Sequence, residues 1–498
     1  MTSLWRDRPP IEADGRLGET YDDVVVGAGL TGLVTALLLA RAGRTVAVVE
    51  ARTVGAGTTG NTTGKVSLLQ GTKLSRMLER QSEHVAAAYL EANQEGQAWL
   101  LRFCEDHEVP VQRRAAVTYA GDPDAGRVRA RAEYEAATRL GLPVRWSEQE
   151  SLPIPAYGCV VLDDQAQVDA MDVLAELTNQ LQREGCVVVE GRRVVSAHGD
   201  GPVKVGLEDG DSVNAGNVIL ATGTPVLDRG LSFAKVEAHR SYAVAYHHPE
   251  PPDRMLLSAG GPTRSLRDAT GPEGQPLLLI GGEGHRVGRA DSELAHLERL
   301  RAWARTYFPG AVETHAWSAQ DYSSHDGLPF VGLLPRGRGH IYMATGYDKW
   351  GLTNAVAAAR TISGQILGSR PRWWSPVAHR ITRPSGALEM VRMNGAVAFE
   401  LVTGFVDAGL RTSARPPEGR GSVGRSGVRP EGWSTVNGRT CGVVALCTHL
   451  GGVLHWNDAE KTWDCPLHGS RFTPEGTVIE GPATRALRAV TDAASTTS

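Results

Sequence analysis

The sequence is poor in cysteine and has no strong excess of charge of either sign. It has six cysteines in 498 residues, and its 52 basic residues are nearly matched by 56 acidic ones, for a net charge of −4. Four of the cysteines stand singly among apolar neighbours: Cys104, Cys159, Cys186 and Cys441. Scattered thiols favour a reducing compartment over a disulfide framework, and the balanced charge argues against a nucleic-acid partner.

Long hydrophobic runs are also missing. The N-terminal segment MTSLWRDRPPIEADGRLGET carries charged side chains throughout, and the longest apolar run in a helical pattern is LVTALLLA (33–40). A membrane-crossing helix needs roughly 20 apolar residues, which is far more than this run supplies. The sequence therefore predicts a cytoplasmic protein without a membrane span, with a length that allows two or three domains.

The first fifty residues indicate one βαβ unit. YDDVVV (21–26) predicts a buried strand, Leu30–Ala42 a helix and TVAVVE (45–50) a second strand. The turn between the first two elements is GAGLTG, the glycine spacing found where a chain binds a dinucleotide.

Each glycine of this turn has a physical use. Gly27 permits the tight turn, Gly29 lets the backbone approach a pyrophosphate at the helix N-terminus, and Gly32 allows close packing of helix and strand. Glu50, at the end of the second strand, can accept hydrogen bonds from ribose hydroxyls. The motif predicts dinucleotide binding, and a merely structural tight turn is the alternative.

Three further segments favour FAD over NAD as this dinucleotide. The loop ARTVGAGTTGNTTGKVS (51–67) is rich in hydroxyl and backbone N–H groups. Two later strands run into glycine turns at ATGTP (221–225) and ATGYDKWG (344–351), where backbone can approach a ligand closely. Separated segments that converge on one long cofactor suit FAD better than NAD.

These motifs occur in an order that resembles one family. Besides those above, the chain contains SLWRD (3–7), QAQVDAMDVLAEL (165–177), LIGGEGH (279–285) and WSAQDYSSHDGLPFVG (317–332). Over about residues 4–370 it resembles the D-amino-acid oxidase and glycine oxidase class of flavoproteins. The order of the motifs carries this resemblance more than any one of them.

The resemblance implies an FAD-binding Rossmann-like α/β domain with an interleaved, mixed-sheet α+β substrate domain. The FAD-binding segments are expected at about 20–75, 190–228 and 326–370, and the substrate domain at about 76–189 and 229–325. GTTGNTTGK and WSAQDYS have no Cys or His at the positions where relatives tether FAD covalently, so a noncovalent flavin is expected.

The resemblance also implies individual contacts. Glu50 holds the adenosine ribose, and the helix N-terminus within Gly346–Thr353 lies near the flavin pyrimidine ring, where its dipole stabilises negative charge. A packed aromatic is the alternative reading of Trp350. The cofactor-binding residues expected in this way are Gly27, Gly29, Leu30, Thr31, Gly32, Glu50, Ala51, Arg52, Thr59, Asn61, Thr62, Thr63, Gly64, Val194, Thr222, Gly223, Gly346, Trp350, Gly351 and Thr353.

Catalytic residues are less marked in the sequence. A neutral amine can transfer hydride directly to a flavin, so no strong general base is required. Arg264 and Arg267 can hold a substrate carboxylate, Tyr242 can line the pocket, and His325 lies close to the flavin by resemblance. For each of them a core or surface role is the alternative.

A second motif lies near the C-terminus. Cys447-x-His449 and Cys465-x-x-His468 are separated by fifteen residues, and each half offers one thiolate and one imidazole. Common zinc modules instead place both cysteines in one half. CTHLGG, CPLHGSRF and GPATRAL are similar to the Rieske family, in which two Cys bind one iron and two His bind the other.

The Rieske resemblance implies a small all-β domain at about 413–490 that holds a [2Fe–2S] cluster, with a structural zinc ion as the alternative. Gly452 and Leu467 stand where respiratory members have a disulfide, and Phe472 replaces a tyrosine that would donate to a ligand sulfur. Fewer such donors lower the potential, so the sequence predicts a midpoint below about +250 mV.

The two predicted centres together favour a dehydrogenase. Substrate oxidation delivers two electrons as hydride, whereas the cluster takes one at a time. We expect an amine or amino-acid-like substrate and an external acceptor such as a ferredoxin or a quinone, with residues 371–412 as a connector containing a helix. A redox sensor without turnover and an oxidase that yields hydrogen peroxide are the alternatives.

Overall fold

A computed structural model describes residues 1–13, 15–227, 232–380, 384–410, 415–426 and 429–490. Its helices are α1 Leu30–Ala40, α2 Lys73–Arg80, α3 Glu83–Asp106, α4 Ala125–Arg139, α5 Ala170–Arg183, α6 Glu293–Tyr307, α7 Gly351–Ile366, α8 Trp374–Ala378 and α9 Pro384–Leu410. Its strands are β1 Thr20–Val26, β2 Val46–Val49, β3 Lys65–Val66, β4 Val111–Tyr119, β5 Arg145–Ser147, β6 Cys159–Val168, β7 Val187–Val189, β8 Val194–His198, β9 Val203–Leu207, β10 Ser212–Leu220, β11 Val236–His247, β12 Met255–Ser258, β13 Arg264–Thr270, β14 Pro276–Arg286, β15 Val312–Ser324, β16 Phe330–Leu333, β17 Ile341–Thr345, β18 Gly421–Ser426, β19 Arg429–Val436, β20 Arg439–Val444, β21 His455–Asn457, β22 Thr462–Asp464, β23 Arg471–Phe472 and β24 Val478–Glu480.

The first large sheet has eight strands in the order β16-β17-β10-β1-β2-β7, and β8 and β9 extend it from β10. β1 pairs in parallel with both β2 and β10. Val25 packs in an apolar cluster with α1, α5 and α7, whereas Val24 and Val26 pack with β8 and β9. Because both faces are covered, the buried end of the strand, Val24–Val26, is a continuous apolar run, as is usual in parallel sheets. The predicted βαβ unit is confirmed.

The second large sheet has nine strands in the order β15-β11-β14-β13-β12-β4-β6-β3, with β5 paired to β6. Its pairs are antiparallel except β12 with β4, so the expected mixed sheet is confirmed. α6 packs on one face through Leu297 and Leu300. The segments that contribute to each sheet differ from the expected domain boundaries. β3 lies in this sheet, whereas β7 lies in the first sheet and α5 packs against α1.

The C-terminal region forms two small antiparallel sheets, β18-β19-β20 and β21-β22-β23-β24. Trp463, Phe472 and Val443, each 0% exposed, lie in the apolar cluster between them. Trp456 also packs there, with its ring centroid 4.8 Å from that of Trp463. The region is therefore all-β, as predicted, and both tryptophans belong to its core.

The connector between the two halves contains α8 and α9. The long helix α9 overlaps the segment 390–410, in which the apolar spacing predicts a helix. The Asn394 amide donates to the Ala234 carbonyl at 3.0 Å, and the Arg289 Nε atom lies 3.8 Å from the Glu400 carboxylate. Val397 packs against the core of the C-terminal region. Helix α9 therefore contacts both halves of the chain. In the described ranges, every helix is too short or too polar to cross a bilayer.

Candidate functional site

A long cleft opens where β1, β2 and β10 end. The glycine turn after β1 forms its floor, with Gly27 at φ +106°. A Cβ atom on Gly27 would lie 2.6 Å from the Ala221 carbonyl oxygen, and one on Gly32 would lie 1.9 Å from the Gly27 oxygen. Only glycine fits at these two positions. The bare backbone leaves room for a phosphate at the N-terminus of α1.

Fourteen of the residues expected to bind the cofactor line this cleft. They are Gly27, Gly29, Leu30, Thr31, Glu50, Ala51, Arg52, Thr59, Thr62, Val194, Thr222, Gly223, Gly346 and Gly351. Segments far apart in sequence thus line one elongated groove. The glycine cradle, the hydroxyl groups and the carboxylate of Glu50 fit the pyrophosphate and ribose groups of FAD.

The other six support the walls of the cleft from behind. Gly32 packs helix on strand, and the Thr353 hydroxyl donates to the Asn93 amide oxygen at 2.6 Å, inside a buried polar network. The Asn61 amide donates to the Gly57 carbonyl at 2.7 Å. Three further positions also lie outside the lining: Thr63, Gly64 and Trp350. The Thr63 carbonyl accepts from Arg267, Gly64 approaches the Val168 carbonyl, and Trp350 is the N-cap of α7.

Glu50 is oriented by two backbone hydrogen bonds at one end of the cleft. Its carboxylate accepts from the Ala28 N–H at 2.9 Å and from the Arg52 N–H at 2.8 Å. These bonds hold the carboxylate beside the glycine turn, where an adenosine ribose would lie in a cofactor bound across the N-terminus of α1.

The opposite end of the cleft is built by the turn before α7. Asp348 and Lys349 both have positive φ, at +50° and +72°, which is costly for residues with side chains and common at functional sites. The Asp348 N–H donates to the Tyr322 carbonyl at 3.0 Å, and the Lys349 N–H donates to the Asp321 carboxylate. This strained turn brings Lys349 and the N-terminus of α7 to the cleft.

Sequence reasoning missed five residues at this end: Gln320, Asp321, Tyr322, Tyr347 and Lys349. All of them lie within WSAQDYSS and GYDKWG, two of the motifs that carry the family resemblance. The motifs themselves were therefore the available signal. What the sequence could not give was the side of each strand or turn that faces the cleft.

A second cavity of about 380 Å³ adjoins the cleft, and Lys349 lines both. Its walls come from α2, β11, β14, β15, the turn before α7, and α9. The Asp348 carboxylate accepts from Lys73 Nζ at 2.8 Å and from the Ser323 hydroxyl at 2.7 Å. Burial alone would raise the pKa of Asp348, but Lys73 and Arg76 outweigh it and hold that pKa well below its usual range. Asp348 is therefore a fixed anion.

The structure places the three predicted catalytic residues outside both cavities. The Tyr242 hydroxyl lies 3.1 Å from His285 Nε2, and Arg264 forms an ion pair with Glu283 at 2.8 Å. His325 is 4% exposed and its ring stacks near Phe330. Each is held by neighbours within the protein. Their catalytic roles stay predictions that this placement does not support, and buried packing is the reading that fits it.

The four residues of the C-terminal motif form two pairs in the small domain, one of thiols and one of imidazoles. The Cys465 thiol donates to the Cys447 sulfur, and the ring centroids of His449 and His468 lie 5.2 Å apart. Hydrogen bonds from Cys465, from the His449 N–H and from the Ser470 hydroxyl lower the pKa of Cys447, and the bond with Cys447 raises the pKa of Cys465. One thiol pair beside one imidazole pair fits a cluster with two irons.

The surroundings of these ligands fit such a cluster as well. Burial, and then His449 and Arg289, lower the pKa of His468 to about 3, so its imidazole is neutral. Neutral imidazole and thiolate are the forms that bind metal. A Cβ on Gly452 would lie 2.6 Å from the Leu467 side chain, so Leu467 fills the space at the position of the missing disulfide.

The small domain lies against the second sheet through buried charges. Arg240 is 0% exposed and donates to the Ser318 hydroxyl and the Gln320 amide oxygen, both at 2.8 Å. Its guanidinium also forms an ion pair with Glu460 and lies 3.6 Å from Asp464 and 3.9 Å from Glu480. One buried arginine thus joins the two domains.

Backbone contacts bring the ligand loops to the cleft. The Gln320 amide donates to the Gly469 carbonyl at 2.8 Å, next to His468, and Arg289 donates to the Pro466 carbonyl at 3.1 Å. Residues Ile479 and Glu480 of β24, and Gly481 after it, line the same cleft as the glycine turn. The predicted flavin site and the predicted cluster site are therefore neighbours.

Comparisons with known proteins agree with both halves. Residues 22–365 match the family described as FAD dependent oxidoreductase, and residues 425–491 match the Rieske [2Fe-2S] domain. The chain is 29% identical over 476 residues to YhfW of Bacillus subtilis, which is named as a Rieske 2Fe-2S iron-sulfur protein. The alignment covers 94% of this chain and 93% of YhfW.

Solved structures share the fold of the flavoprotein half. Glycine oxidase from Geobacillus kaustophilus has a TM-score of 0.61 at 18% identity, covering 73% of this chain and all of the oxidase (100%). L-Proline dehydrogenase from P. horikoshii has a TM-score of 0.56 at 16% identity, covering 72% of this chain and 98% of the dehydrogenase. The chain belongs to the FAD dependent oxidoreductase family and carries a C-terminal Rieske [2Fe-2S] domain, as its motifs predict.

Proposed function

We propose that the protein is a flavin-dependent dehydrogenase. It oxidises an amine or amino-acid-like compound and passes the electrons singly to an external acceptor through its Rieske domain. The observation that carries this proposal is the shared cleft, in which Ile479, Glu480 and Gly481 of the Rieske domain stand beside the residues that would hold FAD. The Rieske domain thus forms part of the wall that would hold FAD, and the proposal requires no swing of the domain to bring it there.

Each side of the cleft has a defined part in this activity. When bound, FAD accepts hydride from the substrate, and the cluster accepts one electron at a time. The N-terminus of α7 at Gly351 directs its positive dipole end at the cleft, which stabilises negative charge there. The Lys349 side chain adds a cation at the junction of cleft and cavity.

The substrate is expected in the cavity next to the cleft. The half-buried Asp321 lines the cleft and accepts from the Lys349 N–H. Burial raises the pKa of its carboxyl, and Lys349 opposes that rise. Two proteins of similar structure are named as a glycine oxidase and an L-proline dehydrogenase, which supports an amino compound as substrate. Charged groups at the junction of cleft and cavity orient such a compound more strongly where water is displaced than they would in bulk water.

The test is anaerobic mixing of the purified holoprotein with a panel of amines, amino acids and N-methyl compounds. We expect the flavin to bleach first and the cluster second. The Cys465→Ser variant, which removes one cluster ligand, should keep substrate-dependent flavin bleaching and lose the second phase. Cluster bleaching ahead of the flavin would contradict the proposed direction.

Adding oxygen or an electron acceptor after the anaerobic reduction separates the two alternatives. If no compound bleaches the flavin in either protein, the sensor reading is favoured. If the flavin is reoxidised by oxygen with stoichiometric peroxide, and at equal rates in the wild type and in Cys465→Ser, the protein is an oxidase. An excess of electrons delivered to a ferredoxin or a quinone analogue, lost in the variant, supports the dehydrogenase.

A further inference from the structure

The cavity beside the flavin cleft carries a surplus of positive charge. Six cationic side chains line it: Lys73, Arg76, Arg80, Arg286, Lys349 and Arg392. Three carboxylates face them, those of Glu237, Asp348 and Glu389. With His239 counted as neutral, the lining therefore has three more positive than negative groups.

The three carboxylates are already engaged. Asp348 pairs with Lys73 at 2.8 Å, Glu237 with Arg286 at 2.9 Å, and Glu389 with Arg392 at 2.8 Å. In the part of the chain that the structure describes, no carboxylate lies within ion-pair distance of the Lys349 or Arg80 side chain. The cavity as built is therefore complementary to an anion.

One wall of this cavity comes from a segment that belongs to neither matched family. Glu389, Arg392 and Met393 lie on α9, between the end of the FAD dependent oxidoreductase match at residue 365 and the start of the Rieske match at residue 425. Met393 is 5% exposed, and Asn394 is bonded to the Ala234 carbonyl. The helix is thus fixed over the cavity by its own side chains.

Arg392 stands at the mouth of the cavity. Its side chain is 62% exposed and is held by the Glu389 carboxylate through two nitrogen atoms, at 2.8 and 3.0 Å. Lys349 stands at the other end, where cavity and cleft meet. A ligand that extends from the cleft to the mouth of the cavity would have Lys349 near one end and Arg392 near the other.

We propose that this cavity is the substrate pocket of the proposed dehydrogenase and that it takes a compound with two acidic groups. The group next to the amine lies toward Lys349, and the second lies toward Arg392 on α9. A substrate with one carboxylate leaves two of the three surplus positive groups unmatched. A second acidic group leaves only one unmatched and adds charge-assisted hydrogen bonds. Arg392 is then a specificity-determining residue supplied by the connector.

The inference rests on the proposed function for the identity of the pocket, so its test uses binding without turnover. The oxidised holoprotein is titrated with propionate and with glutarate, neither of which carries an amine to be oxidised, while the flavin absorption spectrum is followed. We expect glutarate to bind about tenfold to a hundredfold more tightly, which is the range that one charge-assisted hydrogen bond supplies. Arg392→Gln should abolish this preference, while propionate should still bind, because Lys349 is unchanged.

Arg131→Gln is the matched control. Arg131 is also a helical arginine paired with a glutamate, Glu135, at 3.5 Å, but it lies on α4 away from the cavity. The Arg131→Gln variant should bind propionate and glutarate as the wild type does. The inference is overturned if the wild type binds the two acids equally or if neither acid changes the flavin spectrum. It is also overturned if the Arg392→Gln variant keeps the preference or binds neither acid.

Failure of the proposed function looks different. If glutarate binds with the expected preference but no amine bleaches the flavin, the pocket stands and the dehydrogenase reading falls. The opposite result is that amines bleach the flavin, but acidic amino compounds have no lower KM than neutral ones and glutarate has no lower Kd than propionate. The dehydrogenase activity is then supported and the preference for a second acidic group is refuted.

Discussion

Replacing Arg240 by glutamine should loosen the contact between the two domains. Arg240 is completely buried and its guanidinium lies within 4 Å of carboxylates from Glu460, Asp464 and Glu480 of the Rieske domain. Without it, the remaining ion pairs of these three acids among the described residues are those with Arg471, which binds Glu480 at 2.7 Å. Two negative charges are then left unmatched in a buried site.

The size of the effect follows from this burial. Removing one partner from a buried ion pair costs about 3–5 kcal/mol, because the other charge stays desolvated. Since 1.4 kcal/mol is a factor of ten, the equilibrium for undocking should shift by about a hundredfold or more. The double variant Arg240→Gln with Glu460→Gln should recover part of the loss, because it removes one of the stranded charges.

Two measurements check this prediction. Urea unfolding followed by flavin fluorescence and by cluster absorption should show the cluster transition moving to lower denaturant, and electron transfer from flavin to cluster should slow. Arg301→Gln is the control, because Arg301 forms exposed pairs with Glu298 and Glu313 that are worth about 1 kcal/mol or less. If Arg240→Gln behaves like Arg301→Gln in both assays, the buried charges do not hold the domains together.

Three further outcomes are expected. Gly27→Ala should abolish flavin absorption in the purified protein, since its Cβ would lie 2.6 Å from a carbonyl oxygen, whereas Gly43→Ala, with nothing within 4 Å, should keep it. Burial, with Asp464, raises the pKa of Glu293 to about 8. The charged groups around Glu293 are Arg240, Asp464 and Asp458. The native Glu293 carboxyl holds a proton that the unfolded chain releases near pH 4. The free energy of unfolding therefore falls as pH rises from about 4 to 8. Glu293→Gln should flatten that slope in melting curves, and a parallel slope would refute the assignment. The wild-type cluster should titrate below about +250 mV, and Phe472→Tyr should raise the midpoint, whereas an unchanged value would show that a hydroxyl there reaches no ligand sulfur.

Local features were readable from the sequence because their causes are local. The turn at Gly27 and Gly32 follows from glycine spacing alone, and the buried strand before it from a run of valines. The Cys447 and Cys465 motif likewise carries its ligands within about twenty residues. The fold class and both cofactors could therefore be predicted.

The pocket residues could not be read in the same way. Arg264 and Lys349 are both cations near family motifs, yet Arg264 lies on β13 and finds an internal partner in Glu283, whereas Lys349 sits on a strained turn that aims it at the cleft. Which of the two is free depends on the packing of strands far apart in sequence. The same holds for Arg240 and Glu460, which meet across 220 positions.

The wall that Ile479, Glu480 and Gly481 contribute to the flavin cleft has a consequence for how the protein matures. The docked Rieske domain covers part of the cleft that FAD would enter. FAD is therefore expected to bind first, before the Rieske domain docks over it. Protein produced under riboflavin starvation should accordingly bind added FAD poorly until mild denaturant separates the two domains.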